Sequence, residues 1–189
     1  MPRPTVLCDA SVLYAAPLRD LLLELALFDL FHAKWTERIH DEWISHLLAN
    51  RPDVTAAQLA RTRALMHAHV RDGLVEDYEA LIETLTLPDP DDRHVLAAAI
   101  KGHADIILTF NLADFPAAIL APYGLEAQHP DRFFGSLLDL DSAAVCAAAR
   151  RVRARLRLPP LDVVAYLAAL KRCGLPATAA SLRALQTLL

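Results

Sequence analysis

Acidic side chains occupy four positions in this sequence at which chemistry could take place. Asp9 and Asp114 each follow a short apolar stretch, Glu42 lies in a stretch of helical spacing, and Asp92 precedes an alanine-rich helical stretch. Groups at the ends of parallel strands and the starts of the following helices meet at one edge of an α/β sheet. Carboxylates without Cys or paired His suit Mg²⁺ or Mn²⁺ rather than zinc. The sequence therefore predicts a divalent-metal site at such an edge, formed by Asp9, Glu42, Asp92 and Asp114.

Three further polar residues lie next to these acids in the sequence. Ser11 follows Asp9 by two positions, and Thr109 and Asn111 precede Asp114. These side chains could hold a metal-bound water or a phosphate oxygen. Metal ions held by carboxylates can generate hydroxide and stabilise negative charge on a phosphate during an in-line displacement. That is the chemistry of nucleases and of some phosphatases.

Each acid also has a purely structural interpretation. Asp9 could be an ordinary turn or cap residue, Glu42 a solvated residue at the flank of its helix, and Asp91 or Asp92 the N-cap of the following helix. A single cap does not explain the three aspartates Asp89, Asp91 and Asp92. Like charges this close repel one another, and a bound cation is the usual compensation.

The apolar pattern predicts an α/β domain that could bring these acids together. Short strands are expected at Thr5–Cys8, His32–Trp35, Ala104–Thr109 and Leu125–Ala127, with helices between them. Ser11 is expected to cap the first helix and Thr36 the helix that runs to Asn50. Two domains are predicted, residues 1–138 and a helical extension at residues 139–189.

Charge is divided unevenly along the chain. Residues 1–145 hold 11 Lys and Arg against 22 Asp and Glu, whereas residues 146–189 hold 8 against 1, so the two parts carry −11 and +7. An acidic body suits a site that collects cations, and the basic run Arg150–Arg157 could contact RNA backbone or an acidic partner. A solvated helix face explains that run equally well, and the basic tail could also pack on the acidic body.

Other features limit the class of protein. No apolar stretch is long and uncharged enough to span a bilayer, and a predicted strand begins too early for a secretory signal. Three cysteines without metal-type spacing suggest reduced thiols, so a cytoplasmic protein without a membrane partner is expected. Two short helices around Gly174 could form a DNA-reading helix-turn-helix, although an ordinary helical hairpin is favoured because few long polar side chains are available.

Four sequence segments resemble the motifs of PIN domains, a fold of metal-dependent ribonucleases. The segments are LCDASVL, the acid-bearing second long helix, DDRHVLAAA and ILTFNLADF, in the order typical of that family. The similarity covers roughly Thr5 to Phe134, and the fold also includes the bacterial toxins of VapBC toxin–antitoxin pairs. The stretch beyond Leu140 resembles the helical extension of one subgroup of these toxin-like proteins.

The resemblance implies a three-layer α/β/α fold with a central, mainly parallel sheet and a C-terminal helical extension. It places the four acids in the metal-binding and catalytic positions, with Ser11, Thr109 and Asn111 beside them. It also implies a Mg²⁺- or Mn²⁺-dependent endoribonuclease that leaves a 5′-phosphate and a 3′-hydroxyl. The expected partners are an RNA substrate and a small antitoxin, in a homodimer or a toxin–antitoxin hetero-oligomer.

One position departs from the commoner form of the fourth motif. Many PIN domains carry Asp where this sequence has Asn111, whereas others carry T-x-N-x-x-D-F, which Thr109–Phe115 matches. In that version Asp114 is the working acid, and Asn111 is a neutral ligand or orienting group. The substitution leaves open a degenerate PIN module that binds RNA or protein without cleavage. A phosphatase with Asp9 as nucleophile is less favoured, because Ser11 stands where haloacid-dehalogenase-like enzymes carry a second acid.

Overall fold

The computed structural model describes residues 3–157 and 159–189, which form two compact units. The first unit contains the residues up to Tyr14 together with Phe31–Gln128, and the second contains Ala15–Leu30 together with His129–Leu189. The predicted domain division, residues 1–138 and 139–189, stays a prediction.

A four-stranded parallel sheet forms the centre of the first unit. Its strands are β1 (Thr5–Cys8), β2 (His32–Lys34), β3 (Ile106–Leu108) and β4 (Glu126–Gln128), arranged in the order β2-β1-β3-β4. All three strand pairs are parallel. The chain moves to one side of β1 to form β2 and to the other side to form β3 and β4. The crevice at the carboxyl ends of β1 and β3 is therefore the topological switch point, where ligands bind in sheets of this kind.

Helices accompany this sheet in the first unit. They are α1 (Ala10–Leu13), α3 (Glu37–Asn50), α4 (Ala56–His69), α5 (Glu79–Ile82), α6 (Arg93–Lys101) and α7 (Ala117–Leu120). Residues Val95–Ala99 of α6 are fully buried, and the helix contacts both β1 and β3. Small alanine side chains allow this close approach to the sheet. The parallel sheet and its helices confirm the predicted fold class.

Among its described residues, the named elements of the second unit are helices. It contains α2 (Ala16–Leu27), α8 (Pro130–Leu140), α9 (Ser142–Arg155), α10 (Val163–Arg172) and α11 (Pro176–Ala184). Asp131 at the start of α8 accepts hydrogen bonds from the backbone amides of Ala177 (2.9 Å) and Thr178 (2.8 Å), which fixes the first turn of α11. The C-terminal helices confirm the predicted helical extension.

Several element boundaries differ from the predicted ones. The third strand covers only Ile106–Leu108 of the predicted Ala104–Thr109. The helix that follows Gly174, α11, begins at Pro176, since proline is well suited to the first turn of a helix. In the part of the chain that the structure describes, no helix is both long and apolar enough to cross a bilayer.

Candidate metal-binding active site

Asp9 lies at the carboxyl end of β1, and both of its carboxylate oxygens accept hydrogen bonds. Oδ1 accepts from the Ala10 amide at 2.7 Å, and Oδ2 accepts from the hydroxyls of Ser11 (2.7 Å) and Thr109 (2.8 Å). Asp9 is thus the N-cap of α1, and the expectation that Ser11 caps this helix is wrong. The residue is only 7% exposed, so these bonds replace the water that a charged carboxylate requires.

The two hydroxyls that bind Asp9 are themselves fixed by the backbone of the turn after β3. The Phe110 amide donates to Ser11 Oγ (3.2 Å), and the Asn111 amide donates to Thr109 Oγ1 (3.0 Å). Thr109 is fully buried, whereas Asn111 is exposed. This network ties the end of β1 to the end of β3 and leaves Asp9 little freedom to move.

Asp92 ends a short 3₁₀ turn, Pro90–Asp92, directly before α6. Asp89 caps that turn by accepting a hydrogen bond from the Asp91 amide at 2.9 Å, whereas the Asp92 side chain makes no cap bond to its helix. Burial raises the pKa of Asp92 to about 6, with further contributions from the negative charges of Asp9, Asp114 and Asp89. A capping role therefore fits Asp89 and does not fit Asp92.

Asp114 is the acid that follows the third strand, β3. It ends the 3₁₀ turn Leu112–Asp114 after β3, and it is half-buried. Its negative charge contributes to the raised pKa of Asp92, so the two carboxylates repel each other. This repulsion supports Asp114, rather than Asn111, as the acid that the fourth motif contributes to the site.

Glu42 on α3 contacts His94, a residue that the sequence analysis did not single out. Its Oε1 atom is 2.9 Å from Nε2 of His94, a buried residue in the first turn of α6, and 3.4 Å from Nε of Arg38. His94 in turn lowers the pKa of Asp92. The available signal was a single imidazole directly before the apolar run Val95–Ile100, two residues after Asp92.

The donor set fits a divalent cation in chemistry and in charge. Asp9, Asp92 and Asp114 interact electrostatically, and a cation would relieve the repulsion that raises the pKa of Asp92. Among the described residues, no three His, Cys, Asp or Glu side chains form a ready-made metal site. The acids that the structure describes thus do not already converge on one point.

Comparison with known proteins agrees with this geometry. The model of the PIN-domain family matches residues 5–113, a range that contains β1, α3, α6 and β3 together with Asp9, Glu42 and Asp92. The chain belongs to the PIN-domain family. Asp114 and Phe115 lie just beyond the matched range.

A second family model matches the C-terminal part of the chain. The family described as the VapC50 C-terminal domain matches residues 130–184, which cover α8 to α11. The chain is also 50% identical over 56 residues to "Putative ribonuclease VapC50" of Mycobacterium tuberculosis. That alignment covers 30% of this chain and only 33% of the relative's length. No solved structure matches the chain.

Proposed function

We propose that this chain is a divalent-metal-dependent endoribonuclease that hydrolyses RNA phosphodiester bonds. The observation that carries the proposal is the pairing of a rigidly held, buried Asp9 with the mutually repelling Asp92 and Asp114 at the switch point of the sheet. Membership of the PIN-domain family and the partial similarity to a protein named as a ribonuclease support it.

In this proposal, Asp9, Glu42, Asp92 and Asp114 hold Mg²⁺ or Mn²⁺. When bound, the ion supplies a hydroxide nucleophile and stabilises charge on the phosphate. The chain's own contribution is positioning. Ser11 and Thr109 fix the Asp9 carboxylate through its Oδ2 atom, and the exposed, neutral amide of Asn111 is available to a phosphate oxygen or a water molecule.

The second candidate is a degenerate PIN module that binds RNA or protein without cleaving it, and Asn111 is the residue that favours it. The two functions differ in their expected metal affinity. A degenerate site should bind Mn²⁺ weakly or not at all in a calorimetric titration, whereas the nuclease should bind it with defined stoichiometry.

The catalytic proposal is tested by neutralising single acids. Asp9→Asn and Asp92→Asn should each lower the rate of RNA cleavage in Mg²⁺ or Mn²⁺ by at least about 100-fold, because each removes a negatively charged ligand of the metal ion that supplies the hydroxide and stabilises the phosphate charge. Asp91→Asn is the matched control, since Asp91 is an exposed neighbour in the same turn. Full activity of both Asp9→Asn and Asp92→Asn would overturn the proposal.

We further propose that the enzyme is a toxin in the cytoplasm, inhibited by a small antitoxin, and that it forms a homodimer or a toxin–antitoxin hetero-oligomer. The resemblance of the motifs to VapBC toxins supports this role. Co-expression with its neighbouring gene should yield a small co-purifying protein that suppresses RNA cleavage. A complex that retains full cleavage activity would contradict the assignment.

A further inference from the structure

The Glu42 carboxylate has two nearby donors that differ greatly in environment. Arg38 lies one turn earlier on α3, its side chain is 47% exposed, and its Nε is 3.4 Å from Glu42 Oε1. His94 Nε2 approaches the same oxygen at 2.9 Å, and its side chain is 1% exposed. An exposed ion pair at this distance contributes little, because solvent screens it and both side chains are flexible. The 2.9 Å contact with the buried His94 imidazole is therefore the one that can hold the carboxylate in place.

The surroundings of His94 restrict it to this single polar contact. It lies in the first turn of α6, between Asp92 and the fully buried Val95 and Leu96. Its Nδ1 atom is buried and has no hydrogen-bond partner among the described residues. An ionised carboxylate can only accept, so the bond to Glu42 requires the hydrogen on Nε2. The imidazole is held by packing on one side and presents one N–H group to Glu42.

We infer that His94 is a positioning residue that orients the Glu42 carboxylate for the metal site. The inference rests on the proposed function, because it assigns His94 to the acids that hold the ion. In metal sites, partners that hydrogen-bond a ligand orient it, and their loss typically lowers metal affinity by roughly 10- to 100-fold. Here the ligand is the carboxylate and the orienting group is the histidine.

The fold makes His94 suited to this task. Asp92 ends the turn that leads into α6, and His94 follows two residues later on the same rigid helix. Glu42 comes from α3, a separate element. The close contact between His94 and Glu42 therefore links the acid of α3 to the acid that precedes α6. Without it, Glu42 keeps only its exposed contact with Arg38.

The test is a double-mutant cycle on the affinity for Mn²⁺, measured by isothermal titration calorimetry on the full chain. His94→Leu removes the donor, and His94→Gln retains an N–H group at the position of Nε2. We expect His94→Leu to weaken Mn²⁺ binding by about 10-fold or more, and His94→Gln to remain within about threefold of the wild-type protein. In a Glu42→Gln background, His94→Leu should have no additional effect, because the ligand it orients is already lost.

The outcomes separate this inference from the proposed function. Unchanged affinity in His94→Leu, or an equal loss in the Glu42→Gln background, would show that His94 is only a core residue and would overturn the inference. Should His94→Leu fail to fold, the folded His94→Gln variant decides the question. Near-wild-type Mn²⁺ affinity in His94→Gln would support the inference, and a loss of affinity equal to that of Glu42→Gln would overturn it. Mn²⁺ binding without RNA cleavage in the wild-type protein would contradict the proposed function alone, whereas an absence of Mn²⁺ binding would contradict both.

Discussion

Asp9 and Asp92 carry the same functional group in opposite settings. Asp9 is buried, and its two oxygens accept three hydrogen bonds from Ala10, Ser11 and Thr109. Asp92 makes no cap bond, and burial and neighbouring negative charges raise its pKa to about 6. The Asp9 carboxylate is thus held in place by hydrogen bonds, whereas the Asp92 carboxylate is repelled by its neighbours, and a bound cation would relieve that repulsion. Such unfavourable placement is common where a protein binds a charged ligand.

This difference predicts that Asp92→Asn stabilises the protein in EDTA. A carboxyl group with a raised pKa binds its proton more tightly in the folded than in the unfolded state. Folding stability therefore falls as the pH rises from about 4 to about 6. The Asp92→Asn variant has no carboxyl group to ionise at this position, so its folding stability does not fall in this way. Above pH 7 the variant should therefore be more stable than the wild-type protein by about 1 kcal/mol after allowance for solvent screening. That corresponds to a rise in Tm of roughly 3 °C for a chain of this size.

The measurement is thermal unfolding of both proteins across pH 4 to 8 in EDTA. The difference between them should vanish below about pH 4, where the carboxyl group is protonated in both states. Addition of Mn²⁺ should raise the Tm of the wild-type protein more than that of the variant, since ligands that bind only the folded state stabilise it. A variant that is less stable than the wild-type protein at pH 7 in EDTA would contradict this description of Asp92.

At this scale the sequence predicted the identities of the acids better than their local roles. The position of Asp9 at the end of a strand was readable from the apolar pattern. Whether Asp9 or Ser11 capped α1 was not, because both residue types cap helices and only the fold brings Thr109 close to Asp9. His94 was missed because a histidine in an apolar run is usually a core residue, and its partner Glu42 lies 52 positions earlier in the chain.

At the scale of elements, α9 shows why a run of basic residues is a weak indicator of a nucleic-acid site. Glu24 of α2 is 1% exposed and lies within ion-pair distance of Arg151 (3.1 Å) and Arg155 (2.7 Å). Arg153 donates to the carbonyl oxygens of Leu161 (3.2 Å) and Leu189 (3.3 Å). Three of the arginines that the sequence offered for RNA or an acidic partner therefore have partners within the helical unit.

This arrangement predicts unequal effects of two neighbouring arginines. Arg155→Ala should lower the free energy of unfolding by about 1–2 kcal/mol, because it leaves a buried carboxylate with only Arg151 as a partner. Arg150→Ala is the control, since Arg150 is exposed, and its effect should stay within about 0.5 kcal/mol. Urea unfolding of both variants provides the comparison. Equal stabilities of the two variants would mean that the pairs with Glu24 contribute nothing measurable.

The helices and strands themselves were largely readable from local pattern. Strand β1 was predicted at its observed limits, and Thr36 caps α3 as expected, its hydroxyl accepting from the Ile39 amide at 3.1 Å. The pairing of α2 with α9 could not be predicted in the same way. It depends on Glu24 and Arg155, which are far apart in the sequence, and on side-chain packing that no local periodicity encodes.

At the scale of the whole molecule, each of the two compact units has its own charge character and its own relatives. The parallel sheet and its acids belong to the unit that matches the PIN-domain family, and the Arg-rich α9 belongs to the unit that matches the VapC50 C-terminal domain. The sequence predicted the sheet class and the crevice, since the motifs follow the strands in order. It could not show that Ala15–Leu30 joins the C-terminal helices in one unit.

The central claim, that this fold cleaves RNA through a carboxylate-held metal, is tested most directly by mapping the ends of cleaved RNA. Total cellular RNA would be incubated with the purified chain in EDTA and again after Mn²⁺ is restored, and the new ends would be sequenced. The account predicts no cleavage in EDTA and, with Mn²⁺, new ends that carry a 5′-phosphate and a 3′-hydroxyl. Cleavage that persists in EDTA, or that leaves 2′,3′-cyclic phosphates, would show that the 2′-hydroxyl rather than a metal-activated water attacks, and would contradict the account.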